Sequence, residues 1–149
     1  MNAPSAARCG DARVARIVDF FEQLTPQSLA ELPRLYAPDA RFKDPFNEVR
    51  GTAAIADVFE HMFRTLVQPR FLVHDILVQG DQCFLSWDFV FGLKRGGAEM
   101  TIHGATHLRL AADGRIKAHR DYWDAAEELY EKLPVLGALM RWLKRRVNA

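Results

Sequence analysis

The stretch that decides the fold of this chain is LYAPDARFKDPFNEVRGTAAI, residues 35–55. Its pattern predicts the end of a helix, a short strand, a loop and a second helix capped by Thr52. Asp44 falls where the strand ends, beside Pro45. A carboxylate held against apolar side chains has its charged form disfavoured, which suits a general base. The alternative is structural, because Asp-Pro commonly starts a turn in which the carboxylate only accepts hydrogen bonds.

Outward from this stretch, the period of the apolar residues changes along the chain. Helical spacing predicts helices at residues 12–24, 25–36, 52–66 and 125–147, the last broken at Pro134. Alternating spacing between hairpin signals predicts strands at residues 71–78, 82–93, 98–110 and 115–123. Helices followed by an antiparallel meander predict an α+β domain over residues 12–132. Residues 1–11 are expected to be a disordered tail, and residues 133–149 a basic amphipathic C-terminal helix.

Composition predicts an ordinary globular protein. The 149 residues include 20 Lys and Arg against 19 Asp and Glu, which lacks the basic excess of nucleic-acid-binding proteins. No apolar run reaches membrane-spanning length, and residues 1–10 lack the apolar core of a signal peptide. Two cysteines, Cys9 and Cys83, cannot build a disulfide framework, so reduced thiols in a cytoplasmic protein are expected. The histidines have no metal-ligand spacing on a helix face, so we expect neither a metal nor another cofactor.

Strand faces can be read from the alternation. In the second predicted strand one face is wholly apolar and is expected to face the helices: Cys83, Leu85, Trp87, Phe89, Phe91 and Leu93. In the last strand, His119, Asp121 and Trp123 share one side, and Arg120 and Tyr122 the other. Propensity alone leaves the inward side of this last strand open.

Taken together, these segments resemble a known family. The order helix, helix, Tyr-Ala-x-Asp-Ala-x-Phe-x-Asp-Pro, Gly-Thr-Ala-Ala-Ile helix and four strands is similar to the nuclear transport factor 2-like superfamily. Within it, residues 12–124 look closest to the ketosteroid isomerase and SnoaL-like polyketide cyclase group. The resemblance implies a cone-shaped, curved antiparallel sheet wrapped by N-terminal helices, a cystatin-like α+β barrel. It also implies an apolar pocket in the mouth of the cone and a homodimer.

The resemblance implies roles for three residues. Asp44 falls on the isomerase general base, which moves a proton between carbons beside a carbonyl. Phe20 falls where the family has an oxyanion-hole tyrosine, and Thr106 where it has a protonated aspartate. The oxyanion hole of ketosteroid isomerase is therefore not present in this sequence. Because losing one such donor typically costs about 10²–10³ in rate, efficient steroid isomerisation is not expected.

The last predicted strand is similar to another family. Residues 114–124 resemble the final strand of limonene-epoxide hydrolases, where the residue corresponding to Asp121 is a pocket acid or base. That family also needs an inward Arg-x-Asp pair, which residues 86–90 do not supply. Both resemblances put His119, Asp121 and Trp123 on the pocket face.

These observations predict a pocket with apolar walls and few polar groups, as in small-molecule sites. The catalytic candidates are Asp44, Asp121 and His119. The predicted ligand-binding residues are Phe20, Leu85, Trp87, Phe89, Thr106, Leu108 and Trp123. The expected function is binding of a small apolar carbonyl-bearing molecule, with cofactor-free acid–base chemistry of the isomerase or cyclase type. The alternatives are a non-catalytic ligand-binding or dimerisation module, an epoxide hydrolase-like activity, and purely structural roles in which Asp121 pairs with a basic residue at the rim and His119 is a satisfied polar residue.

Two surfaces carry expectations about partners. The outward sheet face is apolar enough to predict a symmetric homodimer, and it carries Phe84, Val90, Ala105 and His107. Residues 138–147 combine an apolar stripe with Arg and Lys, a pattern of helices that lie on a membrane surface or grip an acidic partner. Packing of this helix on its own domain, as a flap over the pocket mouth, is the favoured interpretation.

Overall fold

The computed structural model describes residues 3–130 and 134–147. In chain order, the elements are α1 (Ser5–Arg8), α2 (Ala12–Glu22), a 3-10 helix (Gln27–Glu31), α3 (Leu32–Leu35), β1 (Tyr36–Lys43), β2 (Glu48–Arg50), α4 (Thr52–Thr65), β3 (Val67–Gln79), β4 (Gln82–Gly92), β5 (Glu99–Leu110), β6 (Ile116–Tyr122), α5 (Ala125–Glu128) and α6 (Pro134–Val147).

The strands form one curved, unclosed sheet in the order β2-β1-β6-β5-β4-β3. Neighbouring strands pair antiparallel except β1 and β6, which pair parallel. The four strands predicted after residue 70 are confirmed as β3 to β6, which pair antiparallel in chain order as a meander. Short turns can join such antiparallel neighbours. The predicted α+β class and cone-like architecture are confirmed.

The core lies between the helices and the inner face of the sheet. Asp11 caps α2 by accepting from the backbone N–H groups of Arg13 and Val14. Helix α2 then buries one face against the sheet. On β4, Cys83, Leu85 and Trp87 are buried as the alternation predicted, whereas Leu93 follows the strand and is exposed.

The stretch 35–55 differs from its prediction in two details. Helix α4 begins at Thr52, but its N-cap is Gly51, whose φ of 92° an L-residue rarely adopts. Residues 25–36 do not form one helix: a 3-10 turn and the short α3 precede β1, which begins at Tyr36. The extra strand β2 pairs with the end of β1, so residues 44–47 form a tight connection between two strands.

The N-terminal residues differ from the expected disordered tail. The hydroxyl of Ser5 is buried and donates to Asp19 at 2.5 Å. The guanidinium of Arg8 pairs with Glu22 and donates to the Val73 carbonyl at 2.7 Å, while Glu22 accepts from the Val73 N–H at 3.1 Å. Because β3 is an edge strand, this pair satisfies backbone groups of Val73 that no neighbouring strand occupies.

Replacing Arg8 by Ala is expected to lower the free energy of unfolding by about 1–3 kcal/mol, since it removes an ion pair with the largely buried Glu22 and a hydrogen bond to the Val73 carbonyl. Urea unfolding followed by circular dichroism measures the change. Arg16→Ala is the control, because Arg16 is an exposed residue of α2. Equal stability of the two variants would show that the N-terminal contact adds nothing.

The C-terminal helix differs from the favoured packing. On α6 the side chains of Leu139, Trp142, Leu143 and Val147 are 41–83% exposed. The predicted apolar stripe also includes Leu136 and Met140, whose side chains the structure does not describe. The predicted domain boundary at residues 132–133 also lies outside the described residues. Within the described residues, no helix is long and apolar enough to cross a membrane.

Candidate active site

Strand register brings the site together. Thr106 on β5 pairs with Asp121 on β6, and Gly104 pairs with Trp87 on β4. Residues two apart on a strand share a face, so the side chains of Thr106, His119 and Asp121 converge with Trp87 on the inner face of the sheet. This orientation agrees with the pocket face expected for β6.

A chain of hydrogen bonds links five side chains from four strands. The Trp87 indole N–H donates to Thr106 Oγ1 at 2.7 Å, and Thr106 Oγ1 donates to Asp121 Oδ1 at 2.6 Å. His119 Nε2 lies 2.8 Å from the same Oδ1, and His119 Nδ1 lies 2.7 Å from the Tyr36 hydroxyl. The chain thus has two arms that meet at Asp121. The first arm runs from Trp87 through Thr106, and the second runs from Tyr36 through His119.

The chain is shielded from solvent. Tyr36, Thr106 and His119 are buried, and the Asp121 side chain is 16% exposed. Burial raises the pKa of Tyr36 well above its ordinary value, and the negative charge of Asp121 raises it further. The Tyr36 phenol therefore keeps its proton and is available as a donor.

Two cavities meet at this carboxylate. The larger, of about 360 Å³, has mostly apolar walls and is lined by both Asp44 and Asp121. The smaller, of about 30 Å³, is bordered by Thr106, His119 and Asp121 among apolar side chains. The two share Phe59, Phe71, Trp87 and Asp121 as lining residues. Asp121 is thus the acidic group reached from both sides.

Asp44 lies at the same wall but is engaged locally. Its Oδ1 accepts from the backbone N–H of Phe46 at 2.7 Å and of Asn47 at 2.6 Å, and the Asn47 side-chain amide contacts both carboxylate oxygens at 3.1 Å. These are the contacts of the structural alternative, in which Asp44 holds the turn between β1 and β2. The same carboxylate borders the larger cavity.

The residues predicted to form the pocket wall lie in different places. Trp87, Phe89 and Trp123 line the larger cavity, and Leu85, Trp87 and Thr106 line the smaller one. Phe20 and Leu108 line neither. Consecutive side chains on an α-helix point about 100° apart. Phe21 therefore lines the smaller cavity, whereas the ring of Phe20 packs edge-on against the ring of Phe21. Leu108 is fully buried opposite His119 in the core.

Tyr36, Phe21 and Phe42 are site residues that the sequence reasoning missed. The rings of Phe21 and Phe42 pack on His119 with centroids 5.7 Å and 4.7 Å away. The signal for Tyr36 was present in the stretch 35–55, as an aromatic hydroxyl at the start of an otherwise apolar strand face. Its partner could not be identified without the parallel pairing of β1 with β6.

Thr106 has no hydrogen left for a substrate oxygen, because its hydroxyl donates to Asp121. In this structure the Thr106 hydroxyl therefore serves Asp121 and not an oxyanion, which is the role that the resemblance implied for residue 106. Metal binding has no support in the described ranges, where no group of three His, Cys, Asp or Glu side chains could hold an ion. On the outer face, His74 and His103 both contact Asp88.

Comparisons with known proteins agree with this architecture. The family model described as a SnoaL-like domain matches residues 17–119. No curated protein matches the sequence.

Solved structures extend the comparison. A proposed SnoaL-like polyketide cyclase from Shewanella putrefaciens superposes with a TM-score of 0.69 at 19% identity, covering 87% of this chain and 95% of that one. An NTF2-like protein of unknown function from Burkholderia pseudomallei has a TM-score of 0.68 at 16% identity, covering 78% and 94%. A protein with a ketosteroid isomerase-like fold from Catenulispora acidiphila, in complex with trimethylamine, has 0.67 at 17%, covering 79% and 89%. At these identities the likeness shows a shared fold.

Proposed function

Because the chain belongs to the SnoaL-like domain family, we propose that it binds a small, mainly apolar, carbonyl-bearing molecule and transfers a proton with Asp121 as the general base. The reaction class is cofactor-free isomerisation or cyclisation. Asp44, at the wall of the same cavity, is a second proton-transfer candidate, and His119 supports Asp121.

One observation carries this proposal: the two oxygens of Asp121 have different surroundings. Oδ1 is contacted by Thr106 and His119. Across residues 3–130 and 134–147, no hydrogen bond involves Oδ2, although the carboxylate lines an apolar cavity of about 360 Å³. A carboxylate that is fixed at one oxygen and lines a cavity suits proton abstraction at the other oxygen, because little rearrangement is needed to reach a substrate C–H.

The proton transfer balances within the site. Oδ2 takes a proton from the carbon beside the carbonyl, and the C–H electron pair forms an enolate. The neutral Asp121 then returns the proton to another carbon in an isomerisation. In a cyclisation the enolate carbon attacks a second carbonyl, and the proton goes to the new alkoxide.

The donor set favours substrates that stabilise their own enolate. The hydroxyl of Thr106 and the side-chain amide of Asn47 are both engaged with carboxylates. Since oxyanion donors supply several kcal/mol in other enolate-forming sites, a substrate with a conjugated or 1,3-dicarbonyl system fits this cavity best. Isomerisation of simple 3-ketosteroids is not expected.

Deuterium exchange tests the proposal directly. 2-Tetralone, an aromatic ketone with acidic C–H groups beside its carbonyl, is incubated with the protein in D₂O and followed by ¹H NMR. Exchange above the buffer rate supports the proposal. Binding without exchange, for this ketone and for a cyclic 1,3-diketone, supports the non-catalytic ligand-binding alternative instead.

The smaller cavity favours a second candidate, the water-dependent opening of an epoxide. Its volume of about 30 Å³ exceeds the roughly 10–15 Å³ that a cavity needs to hold one water molecule. In such a reaction Asp121 would accept a proton from water. Formation of the diol from styrene oxide, lost in Asp121→Asn, would support this candidate; ketone exchange without diol formation would reject it.

We also propose that the chain forms a homodimer through the outer face of the sheet. Apolar side chains exposed on these strands include Leu72, Phe84 and Tyr122, whereas Val90, expected on this face, is buried. Light scattering is expected to give twice the chain mass of 17.0 kDa. Phe84→Glu is expected to shift the mass toward the monomer, because a charge in an apolar interface is costly. A monomer at micromolar concentration would contradict the proposal.

A further inference from the structure

We infer that Tyr36 is a positioning residue that holds His119 in its neutral, Nε2–H form, so that every donor of the buried chain is directed at Oδ1 of Asp121. The kinetic part of this inference rests on the proposed function. The structural part does not, because it concerns only hydrogen positions in the free protein.

The direction of the first arm follows from Trp87. An indole N–H can donate but cannot accept. Thr106 Oγ1 therefore accepts from Trp87, and the hydroxyl hydrogen is directed at Asp121 Oδ1, 2.6 Å away. This arm delivers one donor to that oxygen.

The direction of the second arm follows from Tyr36. The phenol keeps its proton, and its hydrogen-bond partner within the described chain is His119 Nδ1 at 2.7 Å. If Tyr36 donates, Nδ1 is an acceptor, and the neutral imidazole carries its hydrogen on Nε2. Nε2 then donates to Asp121 Oδ1 at 2.8 Å. The opposite tautomer would set two lone pairs against each other at that contact.

The surroundings of His119 supply no competing group. The rings of Phe21 from α2 and Phe42 from β1 pack on the imidazole, and Leu108 is its neighbour on β5. Among the described residues, the titratable groups hydrogen-bonded to the ring are Tyr36 and Asp121. Arg41, Lys43, Glu48, Arg50 and Arg120 border another cavity that His119 also lines. A protonated imidazole would have to donate from Nδ1 as well, which would leave the buried Tyr36 hydrogen without an acceptor.

The consequence is a carboxylate with unequal oxygens. Two donors hold Oδ1, whereas no hydrogen bond among the described residues involves Oδ2. Tyr36 makes no contact with the substrate in this arrangement, so its effect on catalysis passes through His119.

Nitrogen-15 NMR of the histidine rings tests the hydrogen positions without any ligand. The His119 signals are assigned by their loss in His119→Gln. In the unmodified protein we expect the His119 ring to carry its hydrogen on Nε2. A hydrogen on Nδ1, or an imidazolium at neutral pH, in the unmodified protein would overturn the inference.

The variant Tyr36→Phe removes the hydroxyl and keeps the ring. We expect His119 to lose its preference for the hydrogen on Nε2 in this variant, because no donor then opposes a hydrogen on Nδ1. Trp87→Phe is the matched control, since it shortens the other arm and should leave the His119 tautomer unchanged. Identical His119 ring signals in Tyr36→Phe and the parent would also overturn the inference.

Deuterium exchange supplies the kinetic readout. In Tyr36→Phe, a hydrogen on Nδ1 of His119 would leave Nε2 without one, so Asp121 Oδ1 would lose one of its two donors. The loss in exchange rate should therefore appear in kcat, with KM for the ketone unchanged, because Tyr36 makes no contact with the substrate. A rise in KM with kcat unchanged would indicate a merely structural role and overturn the assignment. A parent without exchange activity would reject the proposed function, while the NMR result would still decide the role of Tyr36.

Discussion

Replacing Asp121 by Asn is expected to lower the rate of deuterium exchange on 2-tetralone by about 10²–10⁴-fold, the usual contribution of a positioned general base. The amide has nearly the same shape as the carboxylate, and its oxygen can still accept from Thr106 and His119. It cannot take a proton at the second position, so the loss falls on the chemical step. The ¹H NMR exchange assay measures it, with thermal unfolding to verify the fold.

Asp44→Asn is the matched control for this experiment. It removes the same charge from the wall of the same cavity, and the amide oxygen can still accept the backbone hydrogen bonds of the turn. We expect a change of less than about tenfold, an order of magnitude below the general-base contribution. A large loss in Asp44→Asn with none in Asp121→Asn would assign the base to Asp44, as the family resemblance implied. No loss in either variant would contradict acid–base catalysis by these carboxylates.

Replacing Gly104 by Ala is expected to destabilise the protein and displace the Trp87 indole. A Cβ at residue 104 would lie 2.4 Å from Cη2 and 2.7 Å from Cζ2 of Trp87, closer than packed carbon atoms approach. The ring is rigid, so it must move away from β5, which also stretches its hydrogen bond to Thr106. Overpacking of this kind costs about 1–3 kcal/mol. At about 2–4 °C per kcal/mol for a chain of this size, the melting temperature should fall by several degrees.

Gly10→Ala is the control for the Gly104 variant, because nothing lies within 4 Å of a Cβ at residue 10. Adding Trp87→Phe to Gly104→Ala should recover part of the lost stability, since the smaller ring leaves room for the methyl group. The two substitutions contact each other and are expected to be non-additive. An unchanged melting temperature in Gly104→Ala would mean that the sheet adjusts without cost.

The parts of the fold that depend on local periodicity were predictable. The inward alternation of β4 needed only the two-residue period of a strand, and α2 and α4 needed only the helical period. Predicting Phe20 in place of Phe21 shows the limit of this reasoning, because one residue turns a helical side chain by about 100°. Local pattern could place Asp121 and His119 together because both lie on β6.

Tyr36 could not be assigned from the sequence, because its contact depends on which strands become neighbours. The parallel pairing of β1 with β6 could not be predicted from a turn motif, because no short turn joins these two strands. Asp44 had two interpretations for a related reason. Whether a carboxylate beside Pro45 faces a cavity or a turn depends on β2, a strand of three residues that the sequence did not predict.

The pairing of β1 with β6 also bears on how the protein folds. The Tyr36–His119 contact joins residues 83 positions apart in the chain, and such long-range closures slow folding because the loop entropy is lost before the contacts form. The meander from β3 to β6 can form from its own hairpins, but it contains only part of the hydrogen-bond chain. The complete chain exists only when the first and last strands have met. A ligand that requires Asp121 in this arrangement therefore selects the fully folded chain, and its binding free energy adds to the stability of the whole sheet.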